Sequence, residues 1–262
     1  MVLDWLEAMV LGIIQGLTEF LPISSTGHLY LGRHLFGLDD GGLFLDTVLH
    51  LGTLIAVLMV YRREVAAVIR EPFSRMAKLL VVGTIPTVII GLSFKDVFEE
   101  ISETGVTIGW EFLVTGAVLW MADRWKQRGH KSLEKISYTD AIVVGTFQGT
   151  AILPAVSRSG MTIAAALYRR IDKETAAYFS FFLSIPAIAG ALLFQLVDLA
   201  TGRTYTLPLS SLMMATVMST LFGYLAVRWM IRLLQRGSLR PFAVYVWGLG
   251  LLVLLFQWSG QF

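Results

Sequence analysis

Two polar loops, each set inside an otherwise apolar stretch and separated by 133 residues, constrain this chain more than any other feature. The first copy runs Gly12-Ile13-Ile14-Gln15-Gly16 and on to Ser24-Ser25-Thr26-Gly27. The second runs Gly145-Thr146-Phe147-Gln148-Gly149 and on to Ser157-Arg158-Ser159-Gly160. The distance from Gln-Gly to the loop is the same in both, although the proline slips by one place, Pro22 against Pro154. Polar, non-helical backbone is tolerated at membrane depth only where it is buried in protein or lines a cavity. Two such loops related by an internal repeat point to a binding site near the bilayer midplane.

The membrane setting follows from composition. Of 262 residues, 55% are hydrophobic and only 15% charged, with a mean hydropathy of +0.68, whereas soluble domains carry about 25% charged residues. The chain reads as an all-α integral membrane protein, a single membrane domain over 1–262. It has no cysteine, which removes disulfides and thiolate metal sites. Asp4 and Glu7 precede the first apolar run, where a cleavable signal peptide would carry positive charge, so none is expected.

Six stretches are long and apolar enough to span about 30 Å of hydrocarbon: 43–61, 78–94, 107–123, 175–197, 209–230 and 242–260. Segments 5–36 and 139–168 are broken by the repeated loops and read as re-entrant helix–loop–helix units. Each half, about 1–124 and about 134–262, is then one re-entrant unit followed by three crossings. Three is odd, so the second half is inverted relative to the first.

The basic residues test this independently. Arg62, Arg63, Arg70, Arg75 and Lys78 fall in one connection, and Arg124, Lys126, Arg128, Lys131 and Lys135 in another. Arg169, Arg170 and Lys173 follow the second re-entrant unit, and Arg228, Arg232, Arg236 and Arg240 lie near the last turn. These seventeen of the 21 basic residues share one side, which the positive-inside rule makes cytoplasmic. The other side receives Arg33, Lys95, Arg203, the acidic group Asp96, Glu99, Glu100 and Glu103, and both termini. The first re-entrant loop therefore enters from outside and the second from the cytoplasm, and their tips are expected to meet.

Gln15 and Glu19 stand four apart, on one face of a helix that Pro22 helps to end. Ser24, Ser25, Thr26 and Gly27 then offer hydroxyls and backbone N–H groups before a new helix begins near His28. Gln148, Ser157, Arg158, Ser159, Gly160 and Thr162 repeat the layout, with Arg158 in place of Ser25. Two facing helix N-termini and one arginine suit a phosphate or diphosphate. Structural roles compete for some of these residues. Gly12/Gly16 and Gly145/Gly149 have helix-packing spacing, the glutamines suit interhelical hydrogen bonds, and Ser24 and Ser157 suit helix caps. His50 reads as a packing histidine, His34 and His130 as interface or loop residues, and Asp46 as a paired or capping group. A buried charge is costly and marks function. Glu19 and Arg158 are therefore read as functional, with a mutual salt bridge as the alternative.

The segment Gln15-Gly16-Leu17-Thr18-Glu19-Phe20-Leu21-Pro22-Ile23-Ser24-Ser25-Thr26-Gly27-His28 closely resembles the Glu/Gln-x-x-x-Glu and Pro-x-Ser-Ser-x-Gly-His signature of undecaprenyl-diphosphate phosphatases of the bacitracin-resistance type. Pro154-Ala155-Val156-Ser157-Arg158-Ser159-Gly160 is similar to that family's Pro-Gly-x-Ser-Arg-Ser-Gly motif, and Gly83 to Leu92 matches as well. The resemblance spans nearly the whole chain. It implies hydrolysis of undecaprenyl diphosphate to the monophosphate on the outer face of a bacterial cytoplasmic (inner) membrane, recycling the carrier lipid for cell-wall synthesis and conferring bacitracin resistance. By position, Glu19, Ser25, His28 and Arg158 take the family's catalytic places. Gln15 stands where many members have Glu, and Ala155 replaces the motif glycine.

A carboxylate beside an anionic substrate requires a proton or a cation. A divalent Mg²⁺ or Ca²⁺ held by Glu19, phosphate and water is therefore expected. The nucleophile stays open among Ser25 activated by His28, His28 itself, and water with His28 as base. The partners expected are a polyprenyl diphosphate lipid and the membrane, with no nucleic acid, and homo-oligomerisation is open. Inverted repeats with broken helices also describe secondary transporters, so a transporter or flippase of a lipid phosphate or other anion is the competing reading. Glu19 and His28 beside hydroxyls exceed what binding alone needs.

Overall fold

The computed structural model describes residues 3–38, 42–94, 97, 101, 104–125, 129–200 and 207–260. Eleven α-helices are described: α1 (Trp5–Phe20), α2 (Ser25–Phe36), α3 (Gly42–Val60), α4 (Arg62–Arg70), α5 (Arg75–Ser93), α6 (Ile108–Trp125), α7 (Tyr138–Thr150), α8 (Arg158–Tyr168), α9 (Lys173–Ala200), α10 (Leu209–Arg236) and α11 (Arg240–Trp258). α1–α2 and α7–α8 are the two broken units. Each opens on a capping box, Asp4 with Glu7 before α1 and Ser137 with Asp140 before α7. Each first helix stops just short of its proline.

Helices fill all six stretches expected to cross the bilayer, making this a multi-pass membrane protein. α5, α9, α10 and α11 are each long and apolar enough to cross alone, and α3 joins them if it and α4 count as one span bent by 84°. α6 carries Glu111, Asp123 and Arg124, and the two carboxylates are buried in protein rather than turned outward. The large apolar side chains on the outside include Val81, Ile85 and Ile89 on α5, Val217 and Leu221 on α10, and Leu251 and Leu255 on α11. Polar groups such as Gln15, Thr53, Ser180 and Ser219 are sealed inside. That distribution suits a hydrocarbon solvent.

α1 packs on α10 and α7 on α5, α3 packs on α10 and α9 on α5, and α6 pairs with α11. Advancing by 133 residues carries α1 to α7, α3 to α9, α5 to α10 and α6 to α11. Four of these packed pairs thus map onto one another with the halves exchanged, and α6–α11 maps onto itself. Small residues permit the closest approaches. A Cβ on Gly12 would lie 2.6 Å from the Ala215 carbonyl oxygen, and one on Gly145 would run into the Gly83 carbonyl.

Connections expected on one side do gather at one end. Arg75 donates to the carbonyls of Leu133 and Ile136. Lys131 and Arg169 both grip the Asp140 carboxylate, at 3.0 and 2.7 Å, and Arg240 grips Asp123 at 3.0 Å. At the other end Ser211 donates to the Leu3 carbonyl and Gln257 to that of Gly105. Among the charges used to orient the chain, Lys95, Asp96, Glu99, Glu100, Glu103, Lys126, Arg128 and Arg203 lie outside the described residues, as does the Arg236 side chain.

Candidate active site

The two loop tips meet. Ser24 Oγ donates to the Pro154 carbonyl at 2.6 Å, and Ser159 Oγ donates to the Leu21 carbonyl at 2.9 Å. Leu21 and Pro154 are 133 apart, so each loop caps the equivalent carbonyl of the other. Gly27 keeps this contact close, since a Cβ there would meet Phe112 at 2.7 Å and Ala155 at 3.0 Å. From α6, Glu111 accepts the Ala155 N–H at 2.6 Å. Thr115 donates to the Ala155 carbonyl at 2.9 Å and accepts the Ser157 N–H at 3.1 Å. The loop carrying Arg158 is thus fixed on both sides.

Glu19 sits at the junction, with only 3% of its side chain exposed. Its Oε1 receives Arg158 Nη2 at 2.5 Å. Its Oε2 receives the Ser25 hydroxyl at 2.5 Å and Gln15 Nε2 at 3.0 Å, with His50 Nε2 at 3.4 Å. An ion pair joining the repeats and a hydroxyl held on a carboxylate occur in the same group. Arg158 Nη1 is buried without a hydrogen-bond partner. It adds to the backbone N–H groups of Ser25, Thr26 and Ser159 in the first turns of α2 and α8, which have no intrahelical acceptor, a set of donors of the kind that suits an anion.

His28 is arranged differently from the expectation that it activates Ser25. Its Nδ1 donates to the Ser24 carbonyl at 2.6 Å, so Nε2 carries the lone pair and accepts the Tyr245 hydroxyl at 2.8 Å. Ser25 donates to Glu19 instead. Ser24 holds an unusual backbone, φ 68° and ψ 107°, at a cost of about 1–3 kcal/mol for a non-glycine residue. Its tip hydrogen bond and the His28 bond compensate.

The remaining expected residues divide. Gln15 belongs to the Glu19 group. Ser24 and Ser157 cap α2 and α8 through the Gly27 and Gly160 N–H groups. Thr26 is half-buried beside Ser25. Gln148 bonds Thr87 of α5 and the Leu183 carbonyl of α9, and Thr162 bonds the Arg158 carbonyl and Ser180. Among the described residues, neither bonds the side chain of Glu19 or Arg158. Asp46 pairs with Arg33 at 2.9 Å. The notable additions are His50, Thr53, Glu111 and Tyr245. His50 was expected only to pack; its Nδ1 donates to the Asp46 carbonyl, which turns Nε2 toward Glu19.

For a divalent cation, no group of three or more His, Cys, Asp or Glu side chains assembles among the described residues. Gln15 Oε1 is nevertheless buried and without a partner, one helical turn from Glu19. Gln15 turns Nε2 rather than Oε1 to Glu19, and both Glu19 oxygens already accept donors. The pair therefore offers a cation one unpartnered oxygen, with Glu19 joining only where a cation displaces a donor.

The family of the bacitracin resistance protein BacA matches residues 8–252. The chain belongs to that family. BacA-family relatives extend the match to full length. The undecaprenyl-diphosphatase 3 of Bacillus cereus (strain ATCC 14579) is 60% identical over 260 residues, covering 99% of this chain and all of its own length. The undecaprenyl-diphosphatases of Carboxydothermus hydrogenoformans and Desulfatibacillum aliphaticivorans are 46% and 41% identical, over 98% and 97% of this chain and 98% and 99% of theirs.

Proposed function

We propose that this chain hydrolyses undecaprenyl diphosphate to undecaprenyl phosphate and inorganic phosphate, at a site open to the outer face of a bacterial cytoplasmic membrane. The names of its full-length relatives support the substrate. One observation carries the chemistry: a single buried carboxylate, Glu19, holds both the Ser25 hydroxyl and the Arg158 guanidinium at 2.5 Å. Binding an anion requires the arginine, but a carboxylate poised on a hydroxyl is a base poised on a nucleophile.

Ser25 Oγ attacks the terminal phosphorus and gives its proton to Glu19 Oε2. The bridging P–O bond breaks and undecaprenyl phosphate leaves with the electron pair. Water then attacks the seryl phosphate, one proton passes to a neighbouring base, and Ser25 recovers the proton held by Glu19. Phosphoryl transfer gains mainly from positioning and charge stabilisation. Arg158 Nη1 and the N–H groups of Ser25, Thr26 and Ser159 supply it here. A divalent cation at Gln15 Oε1 and the phosphate oxygens would neutralise phosphate charge, leaving Glu19 to take the Ser25 proton. The seventeen basic residues assigned to the cytoplasmic side support the orientation, and the exchange of packed pairs between halves supports an inverted repeat.

The test is inorganic phosphate release from C55 or C15 polyprenyl diphosphate by detergent-purified protein, with Mg²⁺ and then with EDTA. Release that EDTA removes and Mg²⁺ restores is the expected result. A folded sample that releases none would favour a transporter, which needs no bond cleavage.

A further inference from the structure

We propose that Tyr245 is a positioning residue that acts on the reaction through His28. The 133-residue shift sets Phe112 opposite this tyrosine, so the repeat supplies a ring here but not the hydroxyl. It lies on α11, 217 residues from His28, where neighbours such as Val244 and Leu251 are exposed to lipid. A hydroxyl on that face needs a polar partner, and it finds His28 Nε2 at 2.8 Å. The ring is held at three points. The Ser24 carbonyl takes the proton of Nδ1, Tyr245 donates to Nε2, and Phe112 meets the ring edge-on at 5.5 Å between centroids. Tyr245 also stacks on the imidazole, 5.7 Å away and within 12° of parallel.

The Nδ1 bond sets the tautomer, while the Tyr245 bond sets where the Nε2 lone pair points. Ser25 is one turn back on the same helix and already donates to Glu19, so it does not need that lone pair. Its use falls to the second half of the reaction, where water must lose a proton as it attacks the seryl phosphate. In the resting site the Tyr245 hydroxyl occupies that lone pair. It fixes the ring with Nε2 as the acceptor, and it yields Nε2 to the attacking water in that step. The role rests on the hydrolase reading above.

Tyr245→Phe removes the hydroxyl and keeps the stacked ring. Loss of one hydrogen bond of roughly 1 kcal/mol predicts a fall in kcat of about fivefold, with KM changed less than about twofold and detergent melting unchanged. In a His28→Ala background the same substitution should have little further effect, as expected for residues acting through one another. In protein labelled with ¹⁵N-histidine, the His28 Nε2 resonance, assigned by its loss in His28→Ala, should move when Tyr245 becomes Phe. An unchanged kcat, an equal loss in the His28→Ala background, or an unmoved resonance would each overturn the proposal. Wild-type protein that releases no phosphate would overturn the hydrolase reading and this role with it. In that case the resonance reports the contact alone, so the two failures are told apart.

Discussion

At the scale of single residues, Glu19 couples chemistry to folding. Glu19→Gln keeps an acceptor for Arg158 though not its counter-charge, and should lower kcat by about 10²- to 10⁴-fold, the range for loss of a positioned base, with a smaller loss of stability than Glu19→Ala. Glu19→Ala leaves Arg158 as an uncompensated buried charge and should cost about 3–5 kcal/mol. Adding Arg158→Ala should recover part of that stability and none of the activity. Thermal unfolding in detergent beside phosphate-release kinetics separates the two effects. With substrate labelled on its terminal phosphate, an acid quench should find label on the protein, and Ser25→Ala should abolish it. Protein that turns over without carrying label would return the choice to His28 or water. Glu19, Ser25 and Arg158 were legible in the sequence because a charge or a polar run inside an apolar stretch demands a reason. His50 and Tyr245 were not. Each is an amphipathic ring on an apolar span, the repeat sets apolar Leu183 and Phe112 opposite them, and only the packing of α3 and α11 brings them in.

Among the helices, close packing rather than local propensity positions the site. Gly145→Ala drives a methyl into the Gly83 carbonyl on α5, and overpacking of this kind costs about 1–3 kcal/mol. Gly248→Ala, with open space at its Cβ, should leave the melting temperature unchanged, so the pair of variants tests contact rather than helix propensity. The broken units and their start signals could be read from spacing and capping residues. The 84° turn between α3 and α4 could not, because Arg62 to Arg70 looked like a polar connection until its helix was seen lying off the span. The Glu111 and Thr115 cradle was equally hidden. A single buried carboxylate in a span does not declare which distant N–H group it serves.

For the whole molecule, the lack of native cysteine makes topology directly measurable. Single cysteines at Glu64 and Glu134 should react with a membrane-impermeant maleimide only after the cells are opened, and cysteines at Thr104 and Ser259 should react in intact cells. Labelling of Glu64→Cys from outside would overturn the orientation.

On the inverted repeat proposed above, Ser25 stands opposite Arg158 where a symmetric molecule would place two equal residues. A duplex of identical halves would offer the same chemistry to both compartments; this chain keeps a hydroxyl in one tip and a cation in the other. On the orientation proposed above, its reactivity has a direction that the basic residues at the rim, rather than the fold, would hold. A variant with those rim charges transferred to the opposite end would be expected to insert upside down with its interior intact. Such an enzyme would work on the wrong leaflet, and cells would register the change as starvation for carrier lipid rather than as loss of a protein.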